Sequence, residues 1–355
     1  MSEMELPELP STTAYARWVE RQKVPLWRGY HIDDINEFPV GDWPRLGVRG
    51  AIAELEGSEG LNDAQVLEIP PGGDTIEERH LYEKLVYVVK GRGSSQFRND
   101  SGHEVSFEWG EGSLFSVPLN ARHRHFNGSG TSPARFYMVT NAPLILNLFH
   151  NDRFVFENDF EFPDRFGESA FTAEGQEYRG RVWDANFIPN LHELELRDWK
   201  ARGAGGTNMQ IEMSDSSMCA HVSEFPVGTY KKAHRHGAGA HVIILDGKGY
   251  DLLWYGEGDP KRIDWHPGSV IVPPERHWHQ HFNTGDIPAK YLALRWGSNK
   301  YPVFKIYKLD YSHVLGGDQI EYEHEEPWIR EAFEAELAAA GVESRMTPFF
   351  SEHGA

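Results

Sequence analysis

Short runs of apolar residues, interrupted by Gly, Pro, Asn and Asp, set the rhythm of most of this chain. From about residue 45 to 148, runs such as LVYVV at 85–89 alternate with turn sequences such as GRG at 91–93. The same rhythm returns from about residue 188 to 307. Short apolar runs between turn residues are typical of β-sandwiches and barrels. The pattern therefore predicts an all-β fold with two β-domains and short terminal helices.

Helical spacing occurs near the two ends. Tyr15, Trp18 and Val19 line one face of a short N-terminal helix, and residues 327–340 carry apolar residues every four positions, bounded by a proline and by Gly341. Residues 151–187 are acidic and rich in Phe without a clear period, which predicts a linker. The resulting division is an arm (1–30), a first β-domain (31–150), the linker (151–187), a second β-domain (188–310) and a C-terminal helical tail (311–355).

The two β-domains repeat each other's landmarks. PGG at 71–73 and KGRG at 90–93 correspond to PVG at 226–228 and DGKG at 246–249. The spacings within a second pattern, Gly-Pro-His-Asn, are identical in the two halves, at 112, 118, 123 and 127 and at 268, 274, 279 and 283. An internal repeat of this length predicts two copies of one β-domain.

Histidines cluster in the second copy. His234 and His236 lie on a predicted strand, and His277, His279 and His281 lie on another. Because side chains alternate faces along a strand, each group points one way. Imidazoles gathered on an inner β face predict a metal site with open positions, and hence an enzyme.

The composition of the chain limits the classes of molecule that it can bind. The formal net charge is −19, with 54 acidic and 35 basic residues, which disfavours nucleic acid and anionic membranes as partners. No apolar run is long enough to cross a bilayer, and the acidic N-terminus lacks the features of a signal peptide. Cys219 is the only cysteine, which excludes an internal disulfide and a Cys-based metal site. We expect a cytoplasmic protein that acts on a small molecule.

These landmarks resemble the cupin superfamily, and their duplication resembles a bicupin. The family's motifs combine Gly, five residues, His-x-His, then Glu and Gly, with a later Gly-Pro-His-Asn pattern. The resemblance implies two jelly-roll barrels and, in the second copy, the metal ligands His234, His236 and His279. The position of the family's glutamate is Ala240 here.

Loss of that glutamate beside three histidines is similar to the gentisate 1,2-dioxygenase branch, which includes salicylate-type dioxygenases. The resemblance implies Fe(II), with O₂ as co-substrate, and degradation of a hydroxylated aromatic acid by ring cleavage. Two features depart from that branch: its metal usually sits in the first copy, and the arginine expected after His-x-His is Val242 here.

The first copy departs further from the family motif. Glu78 and His80 stand at the His-x-His positions, Lys84 stands at the glutamate position, and His123 is retained. Glu78, His80 and His123 form a candidate second metal site with two histidines and one carboxylate. Alternatively, Lys84 shares the inner face with Glu78 and pairs with it in place of a metal. We favour the pairing, because a cation beside a divalent ion is costly in a barrel interior.

Other side chains are candidates for supporting roles. His281 or His277 is the expected proton shuttle, and His241 is a candidate fourth ligand if the glycines before it form a bulge. Arginine offers a bidentate fork for a substrate carboxylate, and two aromatic residues are candidates for the wall around a ring; these are Arg276, Arg295, Trp278 and Trp254.

Three functional hypotheses follow. The first is an Fe(II)-dependent dioxygenase that cleaves a C–C bond of a hydroxylated aromatic acid or related chelating substrate. The second is an O₂-independent isomerase, lyase or decarboxylase that uses its metal as a Lewis acid, and the third is a non-catalytic ligand-binding bicupin. Histidine ligation also suits Mn, Zn, Ni and Cu. We expect a homo-oligomer, a dimer or a tetramer.

Overall fold

A computed structural model describes residues 12–165, 171–303 and 318–351. These residues form two β-barrels of the jelly-roll type, each built from a large and a small sheet, with short helices beside them. The predicted all-β fold class is therefore confirmed. No helix within the described ranges is long and apolar enough to span a bilayer.

The N-terminal barrel packs a three-stranded sheet against an eight-stranded one. The small sheet contains β7 (Gly93–Arg98), β8 (Glu104–Trp109) and β10 (Arg122–Asn127). The large sheet contains β1 (Leu26–Gly29), β3 (Gly41–Trp43), β4 (Val48–Leu55), β5 (Asp63–Ile69), β6 (Lys84–Lys90), β9 (Leu114–Val117), β11 (Ala134–Thr140) and β14 (Phe187–Ile188). Alternate residues of each strand, among them Val86, Val88, Phe97 and Phe136, fill the space between the sheets.

The C-terminal barrel repeats this arrangement with five and nine strands. The small sheet contains β18 (His234–Arg235), β20 (Gly249–Trp254), β21 (Lys261–Trp265), β23 (Trp278–Asn283) and β25 (Asp318–Gln319). The large sheet contains β2 (His31–Ile32), β12 (Gln176–Tyr178), β13 (Val182–Asp184), β15 (Arg197–Asp198), β16 (Thr207–Glu212), β17 (Met218–Phe225), β19 (His241–Asp246), β22 (Val270–Ile271) and β24 (Ala289–Trp296).

Five helices lie in the described residues: α1 (Ala14–Gln22), α2 (Ala142–Phe149), α3 (Asp152–Phe156), α4 (Pro327–Ala340) and α5 (Thr347–Ser351). Helix α4 has the bounds that the apolar spacing predicts, and Gly341 ends it with a φ of 69°. Its buried residues Ile329, Phe333 and Leu337 share a core cluster with Phe282, which faces outward from β23. The helix therefore supports the outer face of the strand that carries His279 and His281.

The barrels exchange strands, which departs from the predicted domain division. Strand β2 lies inside the predicted first domain, yet it pairs with β22 of the C-terminal large sheet. In return, β14, at the end of the predicted linker, pairs with β9 of the N-terminal sheet. Sequence pattern did not reveal the exchange because a two-residue edge strand carries no readable period.

The two large sheets pack back to back. Their outward residues, among them Leu85, Val139, Ile243 and Leu292, form one core cluster shared by both barrels. His241 lies on this same face of β19, away from Ala240, as strand alternation predicts. One ring nitrogen lies 2.8 Å from the Tyr137 hydroxyl oxygen, and the other lies 3.1 Å from Ser58 Oγ. His241 thus contacts the N-terminal barrel and lies outside the histidine group described below.

Asp63 connects the N-terminal arm to its barrel. The side chain is fully buried and accepts hydrogen bonds from Tyr15 of α1 at 2.8 Å and from the Thr140 hydroxyl. Burial raises the pKa of Asp63 from 3.8 to about 6, although hydrogen bonds from Thr140, Tyr15 and Gln65 oppose the rise.

This raised pKa predicts that Asp63 destabilises the fold as the pH rises. Between pH 4 and pH 6 the folded state binds more protons than the unfolded chain, so the free energy of unfolding falls as Asp63 ionises, by about 3 kcal/mol in all. Asp63→Asn cannot ionise and lacks this component. Urea unfolding of both proteins at several pH values should show that the free energy of unfolding of the variant rises relative to that of the wild type between pH 4 and pH 7. A stability difference that does not change with pH would contradict the assignment.

Candidate metal centre and cavity

Three histidines meet inside the C-terminal barrel: His234 on β18, His236 just after it, and His279 on β23. The β-ladder places His234 directly opposite His279. The ring centroid of His279 lies 4.2 Å from that of His234 and 4.7 Å from that of His236. One ring nitrogen of each histidine lies within 4.8 Å of the other two, which is the spacing of ligands around one metal ion.

Backbone carbonyls fix the orientation of all three rings. The Nδ1 atoms of His234, His236 and His279 lie 3.1, 2.8 and 3.2 Å from the carbonyl oxygens of Lys232, Gly237 and His277. A carbonyl only accepts, so each Nδ1 carries the proton and each Nε2 keeps its lone pair for a ligand bond.

The same three histidines are held neutral. Burial lowers the pKa of His236 to about 4 and holds the pKa values of His234 and His279 well below their usual range. Neutral imidazoles with fixed tautomers are the form that a divalent metal requires. The donor set therefore fits a metal ion.

A cavity of about 170 Å³ opens beside these rings. Ala240, at the position of the family's glutamate, lines it with a side chain too short to reach a metal. Within the described residues, the metal group consists of the three histidines alone. A bound metal would thus keep its full charge and have coordination positions open towards the cavity.

The cavity wall is strongly cationic. Arg202, Lys231 and Arg295 line it, together with His221, and the described lining residues include no carboxylate. Arg202 and Lys231 are almost fully buried. Burial lowers the pKa of Arg202 to about 10 and also lowers the pKa of Lys231. A cationic cavity inside a chain of net charge −19 is suited to an anionic ligand.

His281 also lines the cavity and has a carboxylate behind it. Its Nδ1 lies 2.8 and 2.9 Å from the two carboxylate oxygens of Asp251, the cross-strand neighbour on β20. Trp265 Nε1 donates to the same carboxylate at 2.8 Å. Burial alone lowers the pKa of His281, but Asp251 outweighs it and raises the pKa above its ordinary value. His281 is therefore a buried histidine that can carry a proton.

Four residues predicted for the site lie outside this cavity. The His277 ring lies beside the Tyr255 ring, with the centroids 5.2 Å apart, and the Trp254 and Trp278 rings stack on each other at 6.4 Å. Arg276 is half exposed beside Glu275. Trp254 and Trp278 are outside because neighbouring residues of a strand face opposite ways: Trp278 points away from His279. Of the two candidate arginines, Arg295 alone lines the cavity.

The N-terminal barrel contains the corresponding cluster of Glu78, His80 and His123, again within 4.8 Å of one another. Here Lys84 Nζ lies 2.6 Å from Glu78 Oε1 and 3.4 Å from His123 Nε2. Arg45 binds the other Glu78 oxygen at 2.6 Å. Burial opposes ionisation of Glu78, but Lys84 and Arg45 outweigh it and hold its pKa well below its usual range. The ion pair anticipated from strand alternation is present, with Lys84 as an internal cation.

Sequence reasoning missed four residues of the cavity wall and the carboxylate behind His281; these are Arg202, His221, Lys231 and Tyr291, and Asp251. Strand alternation offered a signal for Tyr291, since it lies four positions before Arg295 and so shares its face. The others lie on different strands or in loops, and their approach depends on the closure of the barrel.

Comparisons with known proteins agree with this architecture. The cupin domain family model matches twice, at residues 65–140 and 221–295. Each match falls in one barrel and includes that barrel's second-motif histidine, His123 or His279. The chain therefore contains two cupin domains and is a bicupin with a three-histidine site.

Several solved structures of oxalate decarboxylase are similar to this one. A structure concerned with substrate binding mode and a reaction specificity switch has a TM-score of 0.51 and 15% identity, and the match covers 75% of this chain and 77% of that chain. The Bacillus subtilis enzyme at pH 4.6 has a TM-score of 0.50 and 15% identity, with 75% and 76% covered. At this identity the likeness shows the fold alone. These neighbours give no support to the gentisate dioxygenase branch, and no curated protein matches the sequence.

A matched pair of substitutions tests which barrel binds metal. His279→Ala removes one of three ligands and should reduce the metal bound per chain from near one to near zero. His123→Ala changes the equivalent histidine of the N-terminal barrel and should leave the metal content unchanged. Elemental analysis of each protein, purified in the same way, measures the ratio.

The same measurement tests the assignment of Lys84. A wild-type ratio near two, falling to about one in each variant, would mean that both barrels bind metal. In that case Lys84 does not take the place of an ion.

Proposed function

We propose that this bicupin is a metal-dependent enzyme whose C-terminal barrel acts on a small carboxylate-containing substrate. The observation that carries this proposal is the cavity beside His234, His236 and His279, whose described lining has three cations and no carboxylate. A ligand that bridges from a metal to these cations must be an anion with oxygen donors.

His234, His236 and His279 would hold the metal. A divalent ion held there would supply Lewis-acid chemistry towards a substrate carboxylate. Fe(II) remains the expectation from sequence for an oxygen-dependent reaction, and Mn(II) or Zn(II) suits Lewis-acid chemistry equally well.

Arg295 is the best-placed residue to orient the substrate. Its Nε donates to His221 Nδ1 at 2.9 Å and its Nη1 to the Trp296 carbonyl at 2.8 Å, which fixes the plane of the guanidinium group. A fixed planar fork recognises a carboxylate with little loss of side-chain entropy. Arg202, packed near the Trp199 ring, adds positive charge to the same cavity.

His281 supplies the proton-transfer group that the sequence predicted at this position or at His277. The Asp251 carboxylate keeps a proton on Nδ1 and stabilises the imidazolium form. In the N-terminal barrel the equivalent His125 faces Ser95 Oγ at 2.7 Å, and burial holds its pKa well below the usual range. The charged partner of this histidine is thus a feature of the C-terminal cavity.

The leading reaction class is O₂-independent: a decarboxylase, lyase or isomerase. Breaking a bond next to a carboxylate leaves an electron pair on carbon, which needs nearby positive charge and then a proton. The cationic wall and His281 are suited to these two needs. The shared fold with oxalate decarboxylases is consistent with this class as a fold-level analogy.

One observation favours the alternative, an Fe(II) dioxygenase acting on a hydroxylated aromatic acid. Ala240 leaves three neutral ligands and open coordination positions, enough for a substrate with two oxygen donors and for O₂. The two classes differ in whether turnover requires O₂.

The test is to load anoxically purified protein separately with Mn(II), Fe(II) and Zn(II). Each preparation is then incubated with 2-oxo acids, 2-hydroxy acids, dicarboxylates and hydroxylated aromatic acids, with and without O₂. NMR of the products and O₂ uptake are followed, with His279→Ala as the control. We expect turnover of a carboxylate substrate without O₂. Turnover that requires both Fe(II) and O₂ would establish the dioxygenase, and binding without turnover under any condition would leave a ligand-binding bicupin.

Arg295 and Arg276 provide a matched pair for substrate recognition, since both were candidates from sequence and one alone lines the cavity. Arg295→Gln should raise the KM for the turned-over acid about 10- to 100-fold, the effect of losing a charged hydrogen bond. Arg276→Gln should leave KM unchanged. Steady-state kinetics of both variants measure this, and equal effects would contradict the role of Arg295.

The sequence also predicts the setting of this enzyme. We propose a homo-oligomer, a dimer or a tetramer, in the reducing cytoplasm. Cys219, the only cysteine, is buried, so no disulfide contributes to the fold.

A further inference from the structure

We propose that Tyr291 is a second proton carrier of the C-terminal cavity and that Lys231 holds its phenol group in position. The inference rests on the proposed function, because it assigns a step of that reaction. Tyr291 lies on β24, where Ala289, Tyr291, Ala293 and Arg295 alternate onto the inner face. Its ring lines the cavity and is 5% exposed.

Lys231 contacts the phenol directly. Its Nζ lies 3.0 Å from the Tyr291 hydroxyl oxygen and 4.6 Å from the centre of the same ring. Lys231 is 2% exposed, and its backbone N–H donates to the His281 carbonyl at 2.9 Å. A desolvated ammonium group that donates to a phenol oxygen favours the phenolate over the phenol.

Other titratable groups surround Tyr291. His281 and His221 lie 5.2 and 5.9 Å from its ring centroid, Arg202 and Arg295 line the same cavity, and the nearby carboxylate of Asp251 is bonded to His281. Burial raises the pKa of Tyr291, but the charges of Lys231 and His281 outweigh it and lower the pKa to about 8. About a tenth of the molecules would then carry the phenolate at pH 7.

The N-terminal barrel shows that the fold does not need this pair. An isolated β-bridge joins Tyr230 to Phe282 in the C-terminal barrel, and the equivalent bridge joins Asp74 to Phe126 in the N-terminal barrel. Thr75, which follows Asp74, therefore corresponds to Lys231, which follows Tyr230. The close contacts of Gly247 with Ala289 and of Gly91 with Ala134 are also equivalent, so Phe136 corresponds to Tyr291.

Phe136 is a buried core residue of the N-terminal barrel. A barrel of the same design is therefore built with Thr and Phe at these two positions. The buried ammonium group of Lys231 and the phenol group of Tyr291 occur instead in the barrel with the three-histidine site, where they can take part in the proposed reaction.

The step is a single proton transfer. The Tyr291 phenolate takes a proton from a hydroxyl or acidic C–H group of the substrate: the new O–H bond forms on Tyr291, and the electron pair of the broken bond stays on the substrate. The phenol later returns the proton to the product. Lys231 keeps its own proton throughout and acts as a positioning residue, and His281 is left for the complementary transfer.

Tyr291→Phe tests the proposal with the metal-loaded, full-length protein. We expect kcat for the turned-over acid to fall about 100-fold at pH 7, with metal content near one and little change in KM. Tyr250→Phe is the matched control, because Tyr250 is buried in the same barrel but does not line the cavity. It should leave kcat unchanged.

Phenolate absorbance near 295 nm provides a readout that needs no substrate. A titration of the wild type should show one tyrosine ionising near pH 8 that is absent from Tyr291→Phe. Lys231→Met should move this ionisation to higher pH, together with the rise of kcat with pH that the phenolate base produces, and Lys231→Arg should restore both in part.

The outcomes separate this proposal from the proposed function. Normal kcat in Tyr291→Phe, or a wild-type titration without a low-pKa tyrosine, overturns the role of Tyr291 and leaves the metal enzyme standing. Failure of every substrate in the panel overturns the proposed function, and the absorbance titration still decides whether Tyr291 is poised to carry a proton.

Discussion

A charge enclosed in a barrel requires a counter-charge, and this constraint governs both halves of the molecule. The N-terminal barrel meets it internally, because the Lys84 ammonium and the Arg45 guanidinium group lie against the Glu78 carboxylate. The C-terminal cavity differs: its three histidines are neutral, and its described wall carries Arg202, Lys231 and Arg295 with no carboxylate among the lining residues. The proposed anionic substrate would add negative charge beside these cations, in a barrel interior whose low polarity makes charge pairing important.

The duplication acts as an internal comparison. Four positions of the N-terminal barrel have these equivalents in the C-terminal barrel: Glu78 corresponds to His234, His123 to His279, Ser95 to Asp251, and Phe136 to Tyr291. Both sets fold into the same barrel, so the fold does not require one particular residue at any of these positions. Those of the C-terminal copy share a chemical theme, since each has a proposed role in binding metal, attracting anions or carrying protons. The N-terminal copy instead provides support, through the sheet that packs against the back of the C-terminal barrel.

That support reaches the cavity through rigid elements. The back-to-back sheets share one buried cluster, His241 is fixed by Tyr137 and Ser58, and β2 crosses over to extend the C-terminal sheet. On the opposite side, α4 packs on the outer face of β23. The strand bearing His279 and His281 is thus supported from outside, and β24, which bears Tyr291 and Arg295, is supported from the other barrel. Catalytic groups held on supported strands keep their geometry.

Local rules were sufficient for the fold class, the duplication, α4 and the three-histidine group, because each depends on spacing along one or two strands. Strand alternation also placed Lys84 beside Glu78 and turned His241 away from Ala240. It gave no basis for choosing between His281 and His277 as the proton carrier. That choice depends on Asp251, thirty residues away along the chain, which the β20–β23 register sets opposite His281. The roles of Arg276, Trp254 and Trp278 likewise depended on which surfaces the barrel encloses.

The sequence by itself therefore determined which residues are available as metal ligands and which face of each strand they share. Only the tertiary structure decided which charges lie together in the cavity, because closing the barrel brings Arg202, Lys231 and the β24 residues Tyr291 and Arg295 from three segments into one enclosed space. The strand exchange between the barrels also depended on tertiary structure, since a two-residue strand pairs with the sheet edge that the folded chain places beside it. Hydrophobic periodicity encodes the inner face of a strand, and the neighbours across that face follow from the closed barrel.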